Sequence, residues 1–285
     1  MILPKLNNFV FFGTDEFAVI VLENLLEKGL PPNLIITTPD APRGRGRILT
    51  PPRVKLWAIK NGVEYEQPEK LLESYNLKAK SHSLFLVASY GKIIPPEILA
   101  LPTHGVLNIH PSLLPKYRGP TPIQSAILAG EEETGVTIML MDEQIDHGPL
   151  LKASNCPLLG FSFWEIRERL AKLGVELFVK ILPDYLTGKI KPEAQDHTQA
   201  TLTKKIKKED GLINLTDDPA LNYRKFLALT PSPGIYFFTD RRGQKIRVLI
   251  TVAHLDANQK FVINKVKPEG RKEMSWQDFE RGQRN

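Results

Sequence analysis

Two stretches of the sequence place hydrogen-bonding and titratable side chains at spacings that suit acyl chemistry. In Gly105–Pro115, GVLNIHPSLLP, an apolar run carries Asn108 and His110 before it breaks at Pro111. Residues two apart on a strand point to the same side, so a carboxamide donor would stand beside an imidazole. A developing oxyanion needs donors of that kind, and histidine can also carry a proton near neutral pH. In Met139–Pro149, MLMDEQIDHGP, Asp142, Asp146 and His147 follow another apolar run and precede a Gly-Pro turn. Either carboxylate could orient His110 and accept a proton from an attacking amine. The residues alone leave Asp142 and Asp146 open, and Asp, Gly and Pro are also ordinary turn residues. A third stretch, Thr38–Lys55, holds Arg43, Arg45, Arg47, Arg53 and Lys55 against a single acid, Asp40, with glycines among the arginines. It reads as a mobile, basic loop whose arginines could clamp phosphates and stack on bases.

The elements that must position these groups alternate between strand and helix. Asn8–Gly13, Leu34–Thr38, Leu84–Ala88, His104–Ile109 and Val136–Met141 read as strands. Leu84–Ala88, LFLVA, is continuously apolar, as a buried parallel strand should be. Phe17–Gly29 and Lys55–Gly62 read as helices, the second closed by its glycine, and Phe163–Leu182 as a long amphipathic helix that packs on the sheet and closes the first domain. The pattern predicts an α/β fold with a Rossmann-like, doubly wound, mostly parallel sheet. In such sheets ligands bind at the carboxyl ends of the strands, where all three stretches can converge. Gly188–Lys207 is polar and aperiodic and reads as a linker. Beyond it, Gly234–Thr239, Lys245–Ala253 and Lys260–Lys267 are strand candidates for a small β-barrel of the OB-like type. The expected domains are therefore residues 1–188, a linker at 189–207 and a second domain at 208–285.

Composition narrows the function classes. The chain of 285 residues has one cysteine, Cys156, so no internal disulfide forms and a reducing compartment is expected. No apolar run approaches the roughly 20 residues that span a bilayer, and the start lacks a signal-peptide core. A cytoplasmic protein with no membrane partner is expected. Residues 201–285 hold 17 Lys or Arg against 10 Asp or Glu, whereas residues 1–200 hold 21 against 22. The positive excess therefore sits wholly in the last third, which points to an anionic partner such as nucleic acid. Gly13-Thr-Asp-Glu-Phe is not a G-x-G-x-x-G fingerprint, and no P-loop is present, so neither NAD nor a nucleoside triphosphate is implied. One cysteine and six scattered histidines offer no metal-ligand cluster.

On these same residues the chain resembles the folate-dependent formyltransferases, and among them the methionyl-tRNA formyltransferase family. The likeness runs through FFGTDEFAV (Phe11–Val19), GRGR to TPPRVK (Gly44–Lys55), VASYGKIIPPEIL (Val87–Leu99), GVLNIHPSLLPKYRGPTPIQSAIL (Gly105–Leu128) and GVTIMLMDEQIDHGPLL (Gly135–Leu151). It continues through KIKKEDGLINL (Lys205–Leu215), TPSPGIYFF (Thr230–Phe238) and KPEGRKEMSWQDFERG (Lys267–Gly282). The resemblance implies a catalytic triad of Asn108, His110 and Asp146, and so favours Asp146 over Asp142. It implies a folate-binding loop at Ser112, Leu113, Leu114 and Pro115, and a pterin-contacting backbone segment at Ser89, Tyr90, Gly91, Lys92 and Ile93. It further implies that Arg43, Arg45 and Arg47 enter the acceptor arm of a tRNA, with the C-terminal domain holding the tRNA from the other side. The implied co-substrate is 10-formyltetrahydrofolate, with no metal, and the implied partner is methionyl initiator tRNA; nothing demands more than a monomer. The chain departs from the family in a short stretch between Lys245 and Glu269, in His147 where a threonine is usual, and in Pro120-Thr121-Pro122 after the YRG turn. The rival readings are a formyltransferase for a nucleotide-linked amino sugar or a purine precursor, a formyl-folate hydrolase, and a non-catalytic RNA-binding relative.

Overall fold

The structure, a computed structural model, describes residues 9–44, 46–74, 76–77, 81–241 and 243–283. The chain folds as two compact units. One is built from the residues up to Gly119 with Thr134–Pro157 and Arg167–Leu202; the other from Pro120–Glu133, Leu158–Ile166 and the residues from Thr203 onward.

The first unit is organised by a seven-stranded sheet. Its strands are β1 (Phe9–Gly13), β2 (Leu34–Ile36), β5 (Tyr65–Glu66), β6 (Leu84–Ala88), β7 (Val106–His110), β8 (Glu133–Leu140) and β9 (Leu150–Pro157), in the order β5-β2-β1-β6-β7-β8-β9. The five strands from β5 to β7 run parallel, and β8 pairs antiparallel with β7. This is the mostly parallel, Rossmann-like sheet expected. Every residue of β1, β6 and β7 is buried, which explains why these strands read as unbroken apolar runs rather than alternating ones. The strand order reverses direction at β1, which lies between β2 and β6, the kind of switch point at whose carboxyl ends such sheets bind ligands.

Helix α1 (Glu16–Glu27) leaves β1 with Asp15 as its N-cap, the carboxylate accepting from Phe17 N and Ala18 N. Helix α2 (Arg53–Asn61) stops at Gly62, whose φ of 66° gives the left-handed cap a glycine allows most easily. Short helix α3 (Pro96–Leu99) follows β6. The long helix near residue 170, α5 (Phe163–Leu186), packs behind β7 and β8: a Cβ built on Gly174 would lie 2.4 Å from Ile109 Cγ2. Glycine there lets helix and sheet approach directly beneath the end of β7.

Sequence periodicity did not disclose every element. The basic stretch read as a mobile loop contains a hairpin, with β3 (Ala41–Arg43) antiparallel to β4 (Ile48–Thr50) and Ala41 opposite Thr50. Pro, Arg, Gly and Thr give no apolar alternation, so its pairing was invisible to a burial-based reading. Strand β9 escaped for the same reason, since only two of its eight residues are buried.

In the second unit, α4 (Pro122–Ala129) and α6 (Pro219–Leu229) accompany a four-stranded antiparallel sheet of β10 (Ile235–Arg241), β11 (Gln244–Leu255), β12 (Phe261–Pro268) and β13 (Met274–Ser275), in that order. Register shifts near Val252 in β11 mark a bulge, the usual device for curving a sheet of the small-barrel kind. Helix α7 (Trp276–Arg281) sets Trp276 and Phe279 against Phe237.

Candidate active site

The end of β7 brings together the residues that the sequence paired. Asn108 and His110 are both buried, at 8% and 4% exposure, and they lie opposite Met139 and Thr137 of β8. The loop after β8 returns Asp146 to them. Its Oδ1 lies 3.4 Å from His110 Nδ1 and 3.4 Å from Asn108 Nδ2, and its Oδ2 accepts the Gly119 N–H at 2.7 Å. On its other side His110 Nε2 stands 3.1 Å from the Tyr117 carbonyl. A carbonyl can only accept, so Nε2 carries a proton and Nδ1, beside Asp146, is the nitrogen free to exchange one. Asn108 can turn a second amide N–H toward a ligand.

Asp142 is placed differently. Its Oδ1 accepts the Gln144 N–H at 2.9 Å and its Oδ2 lies 2.6 Å from His147 Nδ1. It caps its own loop and does not reach His110. Asp146, by contrast, sits at φ 49°, a left-handed conformation unusual for a residue with a side chain. Gly148 closes the loop tightly, since a Cβ there would lie 2.0 Å from the Leu140 carbonyl oxygen.

The two segments implied as folate-binding flank this corner. Val87 of β6 lies beside Asn108 of β7, so both chains leave the sheet on the same edge. Ser89 has φ 49°, and its hydroxyl donates to Asp15 Oδ2 at 2.7 Å. Thr14 N donates to the Ser89 carbonyl at 3.1 Å, and Gly91 N donates to Thr14 Oγ1 at 3.1 Å. The Tyr90 ring turns inward, edge-on to Phe12 at 5.5 Å, and burial pushes its hydroxyl up to about 12. Lys92 Nζ donates to the carbonyls of Pro68 and Glu69, while Ile93 is exposed. In the other segment, Ser112 Oγ donates to the Lys116 carbonyl at 2.7 Å. Thr137 Oγ1 donates to the Ser112 carbonyl and accepts from Leu114 N, at 2.7 and 3.2 Å. Leu113 covers Gly135, Leu114 is buried and Pro115 half-buried.

The basic hairpin is pinned at its base. Lys55 Nζ meets both oxygens of Asp40 at 2.9 and 2.8 Å, and Gln67 Nε2 donates to Asp40 Oδ1 and to the Thr38 carbonyl. The Lys55 ammonium, then the Gln67 amide, hold the Asp40 carboxyl below the ordinary carboxylate range. Arg43 lies on β3, Arg47 is exposed at φ 47°, and Arg45 falls outside the described residues. Ile48 and Leu49 of β4 are exposed beside them, at 71% and 65%. Thr137, Gln67, Arg118 and Gln195 are site-supporting residues that sequence reasoning missed. A single polar side chain gives no signal of its burial, even where, like Arg118 and Thr137, it lies inside a stretch that carries the resemblance. Among the described residues no three His, Cys, Asp or Glu side chains gather as a metal site, and no helix is long and apolar enough to cross a membrane.

Comparison with known proteins identifies relatives of this chain. Residues 7–182 match the formyl transferase family. A methionyl-tRNA formyltransferase of Chloroflexus aurantiacus is 43% identical over 244 residues, covering 84% of this chain and 78% of that one. A methionyl-tRNA formyltransferase of Dictyoglomus thermophilum is 36% identical over 304 residues, covering 96% of each chain. Among solved structures, a methionyl-tRNA formyltransferase from Clostridium thermocellum shares the fold with a TM-score of 0.62 at 18% identity, covering 92% of this chain and 98% of that one.

Proposed function

Because the chain belongs to the formyl transferase family, we propose that it moves the formyl group of 10-formyltetrahydrofolate to the α-amine of methionyl initiator tRNA, as a cytoplasmic monomer, producing formylmethionyl-tRNA for translation initiation. The single observation that carries this reading is the convergence of Asp146 on both His110 and Asn108 at the carboxyl end of β7.

In this reading the neutral amine attacks the formyl carbon, and a tetrahedral oxyanion forms. The Asn108 amide N–H stabilises that charge, and His110 joins it once Nδ1 has taken up a proton. The amine loses one proton and the folate nitrogen gains one as the carbon–nitrogen bond to the carrier breaks. His110 Nδ1 takes the first proton, and Asp146 stabilises the imidazolium so formed, as a carboxylate does beside any proton-carrying histidine. The α-amine of an ester is less basic than a free amine, so much of it is already neutral near pH 7. The protein is left mainly with orientation and oxyanion stabilisation. The backbone of Ser89–Ile93 and the Ser112–Pro115 loop hold the folate. Arg43, Arg45 and Arg47 reach the acceptor arm, and the basic residues of 208–285 grip the tRNA elsewhere, with 189–207 connecting that region to the catalytic residues 1–188.

The test is transfer of labelled formyl from 10-formyltetrahydrofolate to charged initiator tRNA, run beside an amino-sugar nucleotide and beside water alone. Formylmethionyl-tRNA as the dominant product supports the reading. Label on the sugar nucleotide, or release of free formate at the same rate without tRNA, overturns it.

A further inference from the structure

The Asp146 carboxylate is only as well aimed as its backbone, and that backbone is held from outside its own loop. Gln195 lies 49 residues further along the chain, in a polar segment without helical or strand periodicity, yet it is 5% exposed. Its Nε2 donates to the carbonyl of Asp146 at 2.9 Å and to the carbonyl of Gly148 at 2.7 Å. Its Oε1 accepts from Arg118 Nε at 3.2 Å and Nη2 at 2.6 Å. The amide can sit only one way round, because carbonyls offer no proton and a guanidinium offers no lone pair. Both N–H groups and the oxygen of Gln195 are therefore engaged.

Arg118 is buried too, at 6% exposure, and its other interactions lead back to the same loop. Its neighbour Gly119 gives its N–H to Asp146 Oδ2. Its Nη2 donates to His197 Nδ1 at 2.8 Å, and the His197 ring stacks on His147 at 4.1 Å. His147 follows Asp146 directly and meets Asp142. Segment 193–202 is itself anchored at both ends: Glu193 bridges to Leu150, and Leu202 to Arg118. Asp146, at φ 49°, is thus gripped at its carbonyl, at its carboxylate and through the next side chain.

We infer that Gln195, locked by Arg118, is a positioning residue that fixes the direction in which Asp146 presents its carboxylate to His110 and Asn108. This rests on the reading of Asp146 as the partner of His110 in formyl transfer. Gln195 touches no reacting atom; it acts through Asp146, so its removal costs turnover rather than substrate binding.

The experiment is a double-mutant cycle on the full chain, assayed with 10-formyltetrahydrofolate and charged initiator tRNA. Gln195→Glu keeps the oxygen that Arg118 binds and replaces both N–H donors with an acceptor. A misplaced catalytic group costs about 10²-fold in kcat, with KM for both substrates held within about threefold. In an Asp146→Asn background the same substitution should cost almost nothing more, since the group it aims is already gone. Arg118→Lys, which loses the fork but keeps the charge, should give a smaller loss in kcat that also vanishes in Asp146→Asn, and it serves as the second probe if Gln195→Glu does not fold. Losses that multiply with Asp146→Asn, or a raised KM with kcat intact, overturn the inference. If Asp146→Asn alone retains full turnover, the reading of the site itself fails; if Asp146→Asn is impaired and Gln195→Glu is not, only the positioning role fails.

Discussion

The loop that carries Asp146 and the hairpin that carries Arg47 are both excursions from the strands of one sheet, yet they are secured in opposite ways. The Asp146 loop is fastened along its length by partners distant in sequence: the Gly119 N–H on the carboxylate, and Gln195 on two of its carbonyls. The hairpin is secured at its root, where Lys55 and Gln67 hold Asp40, while Arg47, Ile48 and Leu49 above that clamp stand in solvent. The roles proposed for the two segments give this difference a physical reason. Proton exchange tolerates little error in distance or angle, so the carboxylate is fixed before substrate arrives. Phosphate recognition by arginine is longer in range and adapts to the partner, so it needs a fixed base and free cations.

The largest losses are expected at the reaction centre. Asn108→Ala or His110→Ala should lower kcat by roughly 10²–10³-fold, the usual cost of removing an oxyanion donor, measured in single-turnover formyl transfer. Near wild-type turnover in either would detach these residues from the chemistry. The two aspartates of the loop should then separate. Asp146→Asn should lower kcat by about 10²-fold, whereas Asp142→Asn, which only loosens a capped turn, should stay within about threefold; equal losses would mean that the loop works as one unit. At the hairpin the expected signature lies in binding. Replacing Arg43, Arg45 and Arg47 with alanine should raise KM for tRNA. It should also reduce the salt slope of binding by about 0.7–0.9 for each phosphate no longer neutralised, leaving KM for the formyl donor unchanged. An unchanged slope would make the arginines a passive surface.

Two smaller effects sharpen the picture. Lys55→Met should expose the hairpin to proteolytic nicking between residues 41 and 50 and weaken tRNA use more mildly than the triple substitution. The Asp40 carboxyl is held below its ordinary value of 3.8 by Lys55, so what the clamp contributes is complete above that value and is lost only as pH falls through the lowered one. Nicking rates between pH 5 and 8 should accordingly be flat, and a rise within that window would point to a different group. Last, the buried Tyr90 hydroxyl has no hydrogen-bond partner among the described residues. Tyr90→Phe should leave KM for the formyl donor unchanged and shift the melting temperature by about 2 °C or less, upward if at all.

Much of this was written in local sequence. The runs NFVFFG, LFLVA and VLNIH announce buried parallel strands because burial on both faces selects apolar side chains at consecutive positions. Asn108 and His110 share a face because strand geometry has a period of two, and the resemblance to known formyltransferases singled out Asp146. What no local pattern could supply was the distinction between Asp142 and Asp146 on physical grounds. Both lie in the same turn-forming composition, four residues apart, and their difference arises from where Gly119, Arg118 and Gln195 arrive in space. The hairpin was hidden likewise, since pairing between Ala41–Arg43 and Ile48–Thr50 is a backbone event that its side chains do not advertise. The buried parallel strands, the paired donor and imidazole at their carboxyl end and the placement of positive charge were legible because these depend on periodicity and composition. Which carboxylate meets the histidine, and how firmly, could be seen only in three dimensions, because a hydrogen bond from a buried glutamine 49 residues away is a matter of long-range packing.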